Sequence, residues 1–244
     1  MKRVIIVGAT SGIGLKLAEL FIASGWRVGL AGRRKELLEK IASLKPTQVV
    51  YETIDVTSED APTRLNLLID KLGGLDLYIH SSGVGFQNKN LDPNIDNKTT
   101  LTNVYGFTQM VNTAYHYFRD NKVVGQIAII SSVAGTKGIG IAATYSATKR
   151  YQNTYIDALE QLSNTEGCKI SFTDIKPGFV KTDLLNNEAS YPLIMEPSYD
   201  ADIIYKTILK KRRRIIINWK FKVLIFFWKL VPSFIWKSLK LSVK

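Results

Sequence analysis

Short apolar runs alternate with helical patterns along residues 1–218, and this alternation limits the fold more than any other feature of the sequence. The runs are apolar at nearly every position, which is typical of parallel strands covered on both faces. Such strands, separated by helices, are joined by right-handed crossovers in a doubly wound sheet. The predicted strands are Arg3–Val7, Arg27–Ala31, Gln48–Ile54, Asp76–His80, Gln126–Ser131, Lys169–Ile175 and Arg214–Asn218. The predicted helices are Ile13–Ser24, Arg34–Leu44, Ala61–Leu72, Thr99–Asp120, Ser146–Asn164 and Ser198–Lys210.

The charge is concentrated at one end of the chain. The sequence has 33 Lys+Arg and 21 Asp+Glu, a formal net charge of +12. Twelve basic residues and no acid lie between Lys206 and Lys244, which leaves 21 residues of each sign in residues 1–205. The sequence therefore predicts an α/β protein with one domain, residues 1–218, on a doubly wound parallel sheet. Residues 219–244 form a basic, apolar and aromatic-rich C-terminal extension.

The C-terminal extension contains Trp219, Trp228 and Trp236, and Pro232 divides it into two short helical segments. In the second segment the lysines share one face and the apolar side chains another. A Lys-rich amphipathic helix of this kind is typical of segments at an anionic membrane surface. A pocket lid or a subunit interface explains the same residues equally well. Nucleic-acid binding is disfavoured, and we expect no nucleic-acid partner.

Neither a secretion signal nor a membrane-spanning segment is predicted. The apolar run Val4–Val7 is too short for a signal peptide. Lysines interrupt the extension before any apolar stretch reaches the ~20 residues that a spanning helix needs. The one cysteine, Cys168, cannot form an internal disulfide and fits a reducing compartment. We expect a cytoplasmic protein, soluble or peripheral on the inner face of the membrane.

A glycine-rich loop connects the first predicted strand to the first helix. Gly8 permits a tight turn, Gly12 allows close approach of backbone N–H groups to a pyrophosphate, and Gly14 allows helix and strand to pack closely. A helix N-terminus at this point favours an anion. Glycines at such a turn are also explained by structure alone. The candidate phosphate contacts are Gly8, Thr10, Ser11, Gly12, Ile13 and Gly14.

The end of the second predicted strand indicates which dinucleotide the loop would hold. An NAD site places a carboxylate there for the ribose 2′-hydroxyl, whereas this chain has Arg33 and Arg34. Two guanidinium groups suit a 2′-phosphate, so NADP(H) is the preferred cofactor, with NAD(H) as the alternative. The arginines are also compatible with the start of a solvated helix. Asp55, after the third strand, either contacts adenine or caps the next turn.

Tyr145 and Lys149 are four residues apart at the start of a predicted helix and therefore share a face. A nearby ammonium favours the ionised phenol and lowers its pKa, which makes the phenol able to exchange a proton with a carbonyl or alcohol oxygen. Ser132 follows the fifth predicted strand, thirteen residues before Tyr145. The carboxyl ends of parallel strands are where such sheets bind ligands, so this hydroxyl is placed to donate to a substrate oxygen.

Together these motifs resemble the short-chain dehydrogenases/reductases, a family of NAD(P)-dependent oxidoreductases with the Rossmann fold. The resemblance covers roughly residues 1–210 and includes Asn103-Val104-Tyr105-Gly106 and the segment Pro177–Thr182. It implies that Tyr145 is the proton donor and acceptor and that Ser132 orients the carbonyl. It also implies that Lys149 holds the nicotinamide ribose and that Asn103 holds a water in a proton relay. The further cofactor contacts that it implies are Asp55, Val56, Gly83, Pro177, Gly178, Val180 and Thr182.

The chain departs from the family pattern after the fourth strand, where His80-Ser81-Ser82-Gly83 replaces Asn-Asn-Ala-Gly. Val7 also replaces the usual Thr before the first glycine. His80 and His116 have no partner at metal-ligand spacing, so no metal site is predicted.

The sequence predicts an NADP-dependent oxidoreductase that interconverts a ketone or aldehyde and an alcohol on a small apolar substrate. A homodimer or homotetramer is implied through the helices Thr99–Asp120 and Ser146–Asn164. The apolar substrate is suggested by Leu184, Leu185, Leu193, Ile194 and Met195. The alternative is a non-catalytic NADP-binding sensor or scaffold protein at a membrane surface.

Overall fold

The computed structural model describes residues 1–178 and 197–239 of the chain. In these residues a seven-stranded parallel sheet has the order β3-β2-β1-β4-β5-β6-β7. The strands are β1 Arg3–Val7, β2 Arg27–Gly32, β3 Val49–Thr53, β4 Leu77–His80, β5 Gly125–Ile130, β6 Ile170–Lys176 and β7 Arg214–Ile216. The predicted doubly wound α/β fold is confirmed, and each predicted strand overlaps an observed one.

Helices cover both faces of the sheet. The α-helices are α1 Gly12–Ala23, α2 Lys35–Ser43, α3 Ala61–Leu72, α4 Pro93–Thr100, α5 Phe107–Asp120, α6 Ala143–Thr165, α7 Pro197–Leu209, α8 Trp219–Leu230 and α9 Ser233–Ser238. One core contains Leu17 of α1, Ile204 of α7 and Phe221 of α8. The other contains Leu68 of α3 and Ile156 of α6. Within the described residues, no helix is long and apolar enough to cross a membrane.

The helix predicted over Thr99–Asp120 begins earlier than predicted. It starts as α4 at Pro93, where the Asp92 side chain accepts from the Asn94 backbone N–H at 2.9 Å. It then passes through a π-helical segment, Leu101–Gly106, into α5. The first part is polar and lacks apolar periodicity, so the capping residue and Pro93 were its only sequence signals.

Helix α3 begins without a side-chain cap. Asp60 precedes it, and its side chain accepts no capping hydrogen bond from the backbone. Its carboxylate instead accepts from the Ser58 hydroxyl and from Arg64 Nε. The carboxylate of Asp60 is therefore bound by Arg64, four residues later, and not by the first backbone N–H groups of the helix.

Candidate active site

The glycine loop after β1 packs so tightly that no side chain fits at Gly8 or Gly14. Gly8 has a φ of +87°, and a Cβ there would lie 2.7 Å from the Ser82 backbone nitrogen. A Cβ on Gly14 would collide with the Gly8 carbonyl. Ser11 makes no side-chain cap, and the first turn of α1 has no acidic residue. A pyrophosphate fits this cradle because the helix N-terminus offers backbone N–H groups and no competing negative charge.

The arginines after β2 lie at the edge of this cradle. Arg34 donates to the Thr10 hydroxyl from Nε at 3.0 Å and from a terminal nitrogen at 2.8 Å. Arg33 is exposed beside it. Arg34 is therefore bound to the glycine loop and is also an exposed residue at the start of α2, and its contact with a 2′-phosphate stays a prediction.

Asp55 caps the turn that follows β3. Its Oδ1 accepts from the Thr57 backbone N–H at 2.9 Å and from the Thr57 hydroxyl at 2.8 Å. Val56 is buried, and its carbonyl accepts a hydrogen bond from Gln109 Nε2. The capping alternative thus holds for one oxygen of Asp55, and its adenine contact stays a prediction.

The fold brings Ser132, Tyr145 and Lys149 together at the carboxyl end of β5. Ser132 begins a short 3-10 turn, and its hydroxyl accepts from the Ala134 backbone N–H at 3.1 Å. A hydrogen bond between the Ser132 and Tyr145 side chains favours the ionised phenol and acts to lower the Tyr145 pKa. The Lys149 Nζ lies 5.8 Å from the centroid of the Tyr145 ring. The serine, phenol and ammonium therefore form one cluster.

Burial governs the protonation of this cluster. Burial raises the pKa of Tyr145, and the Ser132 hydrogen bond opposes it. Burial lowers the pKa of Lys149 to about 8, against the attraction of Asp174. The net shift of the Tyr145 pKa is therefore upward, opposite in direction to the predicted lowering, and the effect of Lys149 on the phenol stays a prediction. The ammonium is directed to the Ile130 carbonyl at 3.2 Å and to Gln152 Oε1 at 3.0 Å, while burial acts on the phenol directly.

Asn103 lies in the π-helical segment and is fully buried. Its side chain binds the Val84 backbone twice, with Oδ1 accepting from N–H at 2.9 Å and Nδ2 donating to the carbonyl at 2.7 Å. The carbonyl of Asn103 accepts from Gln152 Nε2 at 2.9 Å. Gln152 thus bridges Asn103 and Lys149, and the water that the resemblance implies at Asn103 stays a prediction. A π-helical insertion is frequent at functional sites because it re-aims backbone groups.

Sequence reasoning missed Gln152. It lies three residues after Lys149 on the same helical face and is 1% exposed. Its polar side chain, on the helical face that carries Lys149, was the only sequence signal that Gln152 belongs to the site.

The loop after β4 covers the cluster through two glycines. A Cβ on Gly83 would lie 3.3 Å from Asn103 Oδ1 and 3.5 Å from Lys149 Nζ. A Cβ on Gly85 would lie 2.9 Å from the Tyr145 ring. Gly83 was predicted as a cofactor contact, whereas Gly85 was missed. Its spacing of two residues from Gly83 was the only signal.

A third missed residue, Asp174, lies near enough to Lys149 to act on its charge. It is fully buried on β6, accepts from the Ser131 hydroxyl at 2.5 Å and lies 3.1 Å from Lys176 Nζ. Its negative charge raises the pKa of Lys149. Ser131 is therefore bound to Asp174, while Ser132 is the serine in the cluster with Tyr145. An acidic residue within an apolar strand was the available signal.

The loop after β6 adjoins the same edge of the sheet. The Pro177 carbonyl accepts from the Val133 backbone N–H at 3.0 Å. Gly178 lies so close to the Phe221 ring that a Cβ there would collide with it. Val180 and Thr182 lie outside the described residues, as do Leu184, Leu185, Leu193, Ile194 and Met195.

The histidines have separate environments. His80 is buried, and its Nδ1 lies 2.9 Å from the Tyr78 hydroxyl. Burial lowers its pKa to about 3, with a smaller contribution from the positive charge of Lys149. His116 lies on the exposed face of α5. Within the described residues, no cluster of histidine, cysteine and carboxylate side chains is suitable for a metal ion.

Known proteins resemble this chain in sequence and in structure. The sequence pattern of the family described as short chain dehydrogenase matches residues 2–191. An uncharacterized oxidoreductase of Myxococcus xanthus is 30% identical over 239 residues, which cover 95% of this chain and 93% of that protein. Dehydrogenase/reductase SDR family member 7B of Xenopus tropicalis is 29% identical over 198 residues, which cover 75% of this chain and 62% of that protein.

Two solved structures share the fold. ElxO with NADP bound has a TM-score of 0.77 at 22% identity, covering 88% of this chain and 96% of that chain. An alcohol dehydrogenase from the archaeon Thermococcus sibiricus, complexed with 5-hydroxy-NADP, has a TM-score of 0.75 at 21% identity, covering 89% and 96%. At these identities the likeness concerns the fold.

Proposed function

The chain belongs to the short-chain dehydrogenase family of NAD(P)-dependent oxidoreductases, and from this premise we propose that it interconverts an apolar ketone or aldehyde and its alcohol with NADP(H). The observation that carries the proposal is the cluster of Ser132, Tyr145 and Lys149 at the carboxyl end of β5. The glycine cradle follows β1, at the same edge of the sheet. In such sheets this edge is where ligands bind.

The preference for NADP(H) rests on Arg33 and Arg34. Both are cations at the edge of the cradle, and Arg34 is already bound to Thr10. Guanidinium groups bind phosphate through paired charged hydrogen bonds, which suits the 2′-phosphate. NAD(H), which lacks this group, is the weaker ligand in the proposal.

The phenol of Tyr145 is the proposed acid and base. Because burial raises its pKa, it is protonated at neutral pH and able to donate a proton to a carbonyl oxygen. In the opposite direction the phenolate takes the proton from the alcohol. The Ser132 hydroxyl donates a hydrogen bond to the same oxygen and stabilises its developing negative charge. When bound, the nicotinamide supplies the hydride for reduction or accepts it in oxidation.

Lys149 and Asn103 support this chemistry. The Lys149 ammonium is proposed to hold the nicotinamide ribose and to stabilise the phenolate. Its hydrogen bonds to Ile130 and Gln152 fix its direction. Asn103 fixes the covering loop through Val84 and holds Gln152 through its carbonyl. The remaining proposed cofactor contacts are Ser11, Gly12, Ile13, Asp55, Val56, Gly83, Pro177, Gly178, Val180 and Thr182.

The cellular setting and assembly are also proposed. We place the protein in the cytoplasm, where its one free cysteine, Cys168, stays reduced. The proposed assembly is a homodimer or homotetramer through α5 and α6, and it is supported by apolar side chains exposed on or next to these helices, Leu101, Tyr105 and Leu162.

A panel of aliphatic and aromatic ketones and aldehydes, assayed by NADPH oxidation, tests the proposed activity. Tyr145→Phe is expected to lower turnover by about 100-fold or more, because it removes the proposed proton donor and acceptor. Its NADPH Kd is expected to stay near that of the wild type. Tyr151→Phe is the matched control, since Tyr151 lies on the same helix as Tyr145 and its hydroxyl binds Thr108 of α5 at 2.8 Å. Equal turnover in wild type and Tyr145→Phe would refute the assignment. Tight NADPH binding without oxidation by any carbonyl would favour the non-catalytic sensor.

A further inference from the structure

Helix α8 is apolar on two opposite faces. Phe221 and Ile225 are buried in the core, and Trp228 packs against it. At 100° per residue, the apolar stripe on the opposite face consists of Trp219, Val223, Phe226, Phe227 and Leu230. Their exposed fractions are 68%, 47%, 61%, 61% and 64%. A contiguous exposed surface of this kind marks an interaction site in a folded protein.

Lysines border the apolar stripe on both sides. Lys220 lies along one edge, and Lys222 and Lys229 lie along the other. Helix α9 adds two further exposed side chains to the extension, Phe234, which is 73% exposed, and Lys237. Within the described part of the chain, these four lysines form no ion pair. No acidic residue occurs between residue 203 and the end of the sequence.

Contacts with residues 1–218 hold the C-terminal extension in a fixed orientation. Trp236 Nε1 donates to the Gly138 carbonyl at 2.8 Å, and Lys137 Nζ lies 4.9 Å from the Trp236 ring centroid. The Trp228 and Trp236 rings are 4.7 Å apart. The extension therefore lies against the loop that follows Ser132, with its apolar stripe on the side opposite the core.

A groove of about 860 Å³ is lined by residues of α9, of this loop and of the start of α6. Its lining includes the cationic side chains Lys137, Arg150 and Lys237 and no acidic side chain. Serines line it as well, Ser146 and Ser233. This composition suits an anionic headgroup beside an apolar surface.

We propose that the α8–α9 surface docks on an anionic lipid bilayer. Aromatic and aliphatic side chains enter the interface while the flanking lysines meet anionic headgroups, the arrangement of an interfacial helix. A second copy of this chain is a poorer occupant, because it would bring the same unpaired lysines against these. A nucleic acid would meet the lysines but would leave the apolar stripe without a matching surface. The lysines beside the apolar stripe therefore favour an anionic bilayer over a second copy of the chain and over a nucleic acid.

Vesicle sedimentation with the full-length protein tests this proposal without a catalytic readout. The probes are vesicles of phosphatidylcholine alone and of equal parts phosphatidylcholine and phosphatidylglycerol, at low and high salt. The wild type is expected to bind only the anionic vesicles, more weakly at high salt. Since the assay contains no carbonyl substrate, its result is independent of the proposed activity. NADPH binding by each variant is measured in parallel to show that the fold is intact.

Two variant sets with matched controls localise the binding. The first set changes Lys220, Lys222, Lys229 and Lys237 to Gln, and its control changes the exposed lysines Lys40, Lys45, Lys89 and Lys122 to Gln, which gives the same net charge. The second set is Phe226→Ser with Phe227→Ser, and its control is Leu44→Ser with Leu67→Ser, at leucines that are 73% and 49% exposed.

The first set, the four lysine substitutions in the extension, is expected to weaken vesicle binding by about 100-fold or more, since each basic side chain near anionic lipid contributes to the binding free energy. The phenylalanine set is expected to weaken it by about tenfold or more. Both control sets are expected to stay within about threefold of the wild type. Equal losses in test and control sets, wild-type binding by both test sets, or no binding by the wild type would overturn the proposal.

Discussion

Lys149 Nζ donates a hydrogen bond to Gln152 Oε1 at 3.0 Å, one helical turn away in the same buried face of α6. Gln152 Nε2 in turn donates to the Asn103 carbonyl at 2.9 Å. A single amide thus connects the lysine of the site to the π-helical segment. Because the ammonium is buried, its pKa of about 8 depends on the few acceptors that face it.

The effect of Gln152 on Lys149 is testable through the pH profile of carbonyl reduction. Gln152→Leu removes an acceptor, so the pKa of Lys149 is expected to fall and the loss of kcat/KM at high pH to begin about one unit lower. Gln152→Glu places a carboxylate beside the ammonium and is expected to move the same limb to higher pH. If both variants change the rate but the high-pH loss of kcat/KM does not move in opposite directions, Gln152 has only a packing role.

The arginines after β2 are expected to determine the choice of cofactor. Arg33→Ala and Arg34→Ala should each raise the NADPH Kd by about tenfold or more, because each removes a charged partner of the 2′-phosphate. The NADH Kd should change by less than about threefold. Quenching of intrinsic fluorescence measures both constants, and Lys40→Ala, exposed on α2, is the control. Equal effects on the two cofactors would remove both arginines from the phosphate site.

His80 is expected to make the fold sensitive to acid. Its folded-state pKa of about 3 lies below the ordinary value of 6.5, so only the unfolded chain binds the proton between these values. The contribution of the neutral His80 imidazole to the free energy of unfolding is fully present above pH 6.5 and is lost as the pH falls toward 3. Between pH 6.5 and 5 the loss is about 2 kcal/mol by linkage.

Urea denaturation at pH 7 and pH 5 measures this loss. In His80→Asn the decrease in unfolding free energy between the two pH values should be smaller than in the wild type by about 2 kcal/mol. His116→Asn, on the exposed face of α5, should keep the wild-type decrease. An identical decrease in wild type and His80→Asn would show that the buried imidazole is not the acid-sensitive group.

Sequence periodicity was sufficient for the framework because strand and helix formation depend on local patterns of burial. In β1, for example, Val4–Val7 are all apolar, and the structure covers them on both faces. The glycine loop was equally readable, since a positive φ at Gly8 and a close backbone approach at Gly14 leave few alternative residues. The polar segment Pro93–Thr100 had no such pattern, and its helix was missed.

The site illustrates the limit of the same reasoning. Spacing placed Tyr145 and Lys149 on one face of a helix, but the sign of the Tyr145 pKa shift depended on burial by loops distant in sequence. The bridge from Gln152 to Asn103 joins residues 49 positions apart and has no local signature. Such contacts are set by how elements pack.

The sequence by itself determined the parallel α/β framework, the glycine cradle, the Tyr145–Lys149 pair and the location of the excess positive charge. Only the tertiary structure decided which face of α8 is buried, which acceptors hold Lys149 and which groups resist ionisation. The physical reason is that covalent spacing fixes neighbours within an element, whereas desolvation and hydrogen bonding between elements arise after the chain has packed.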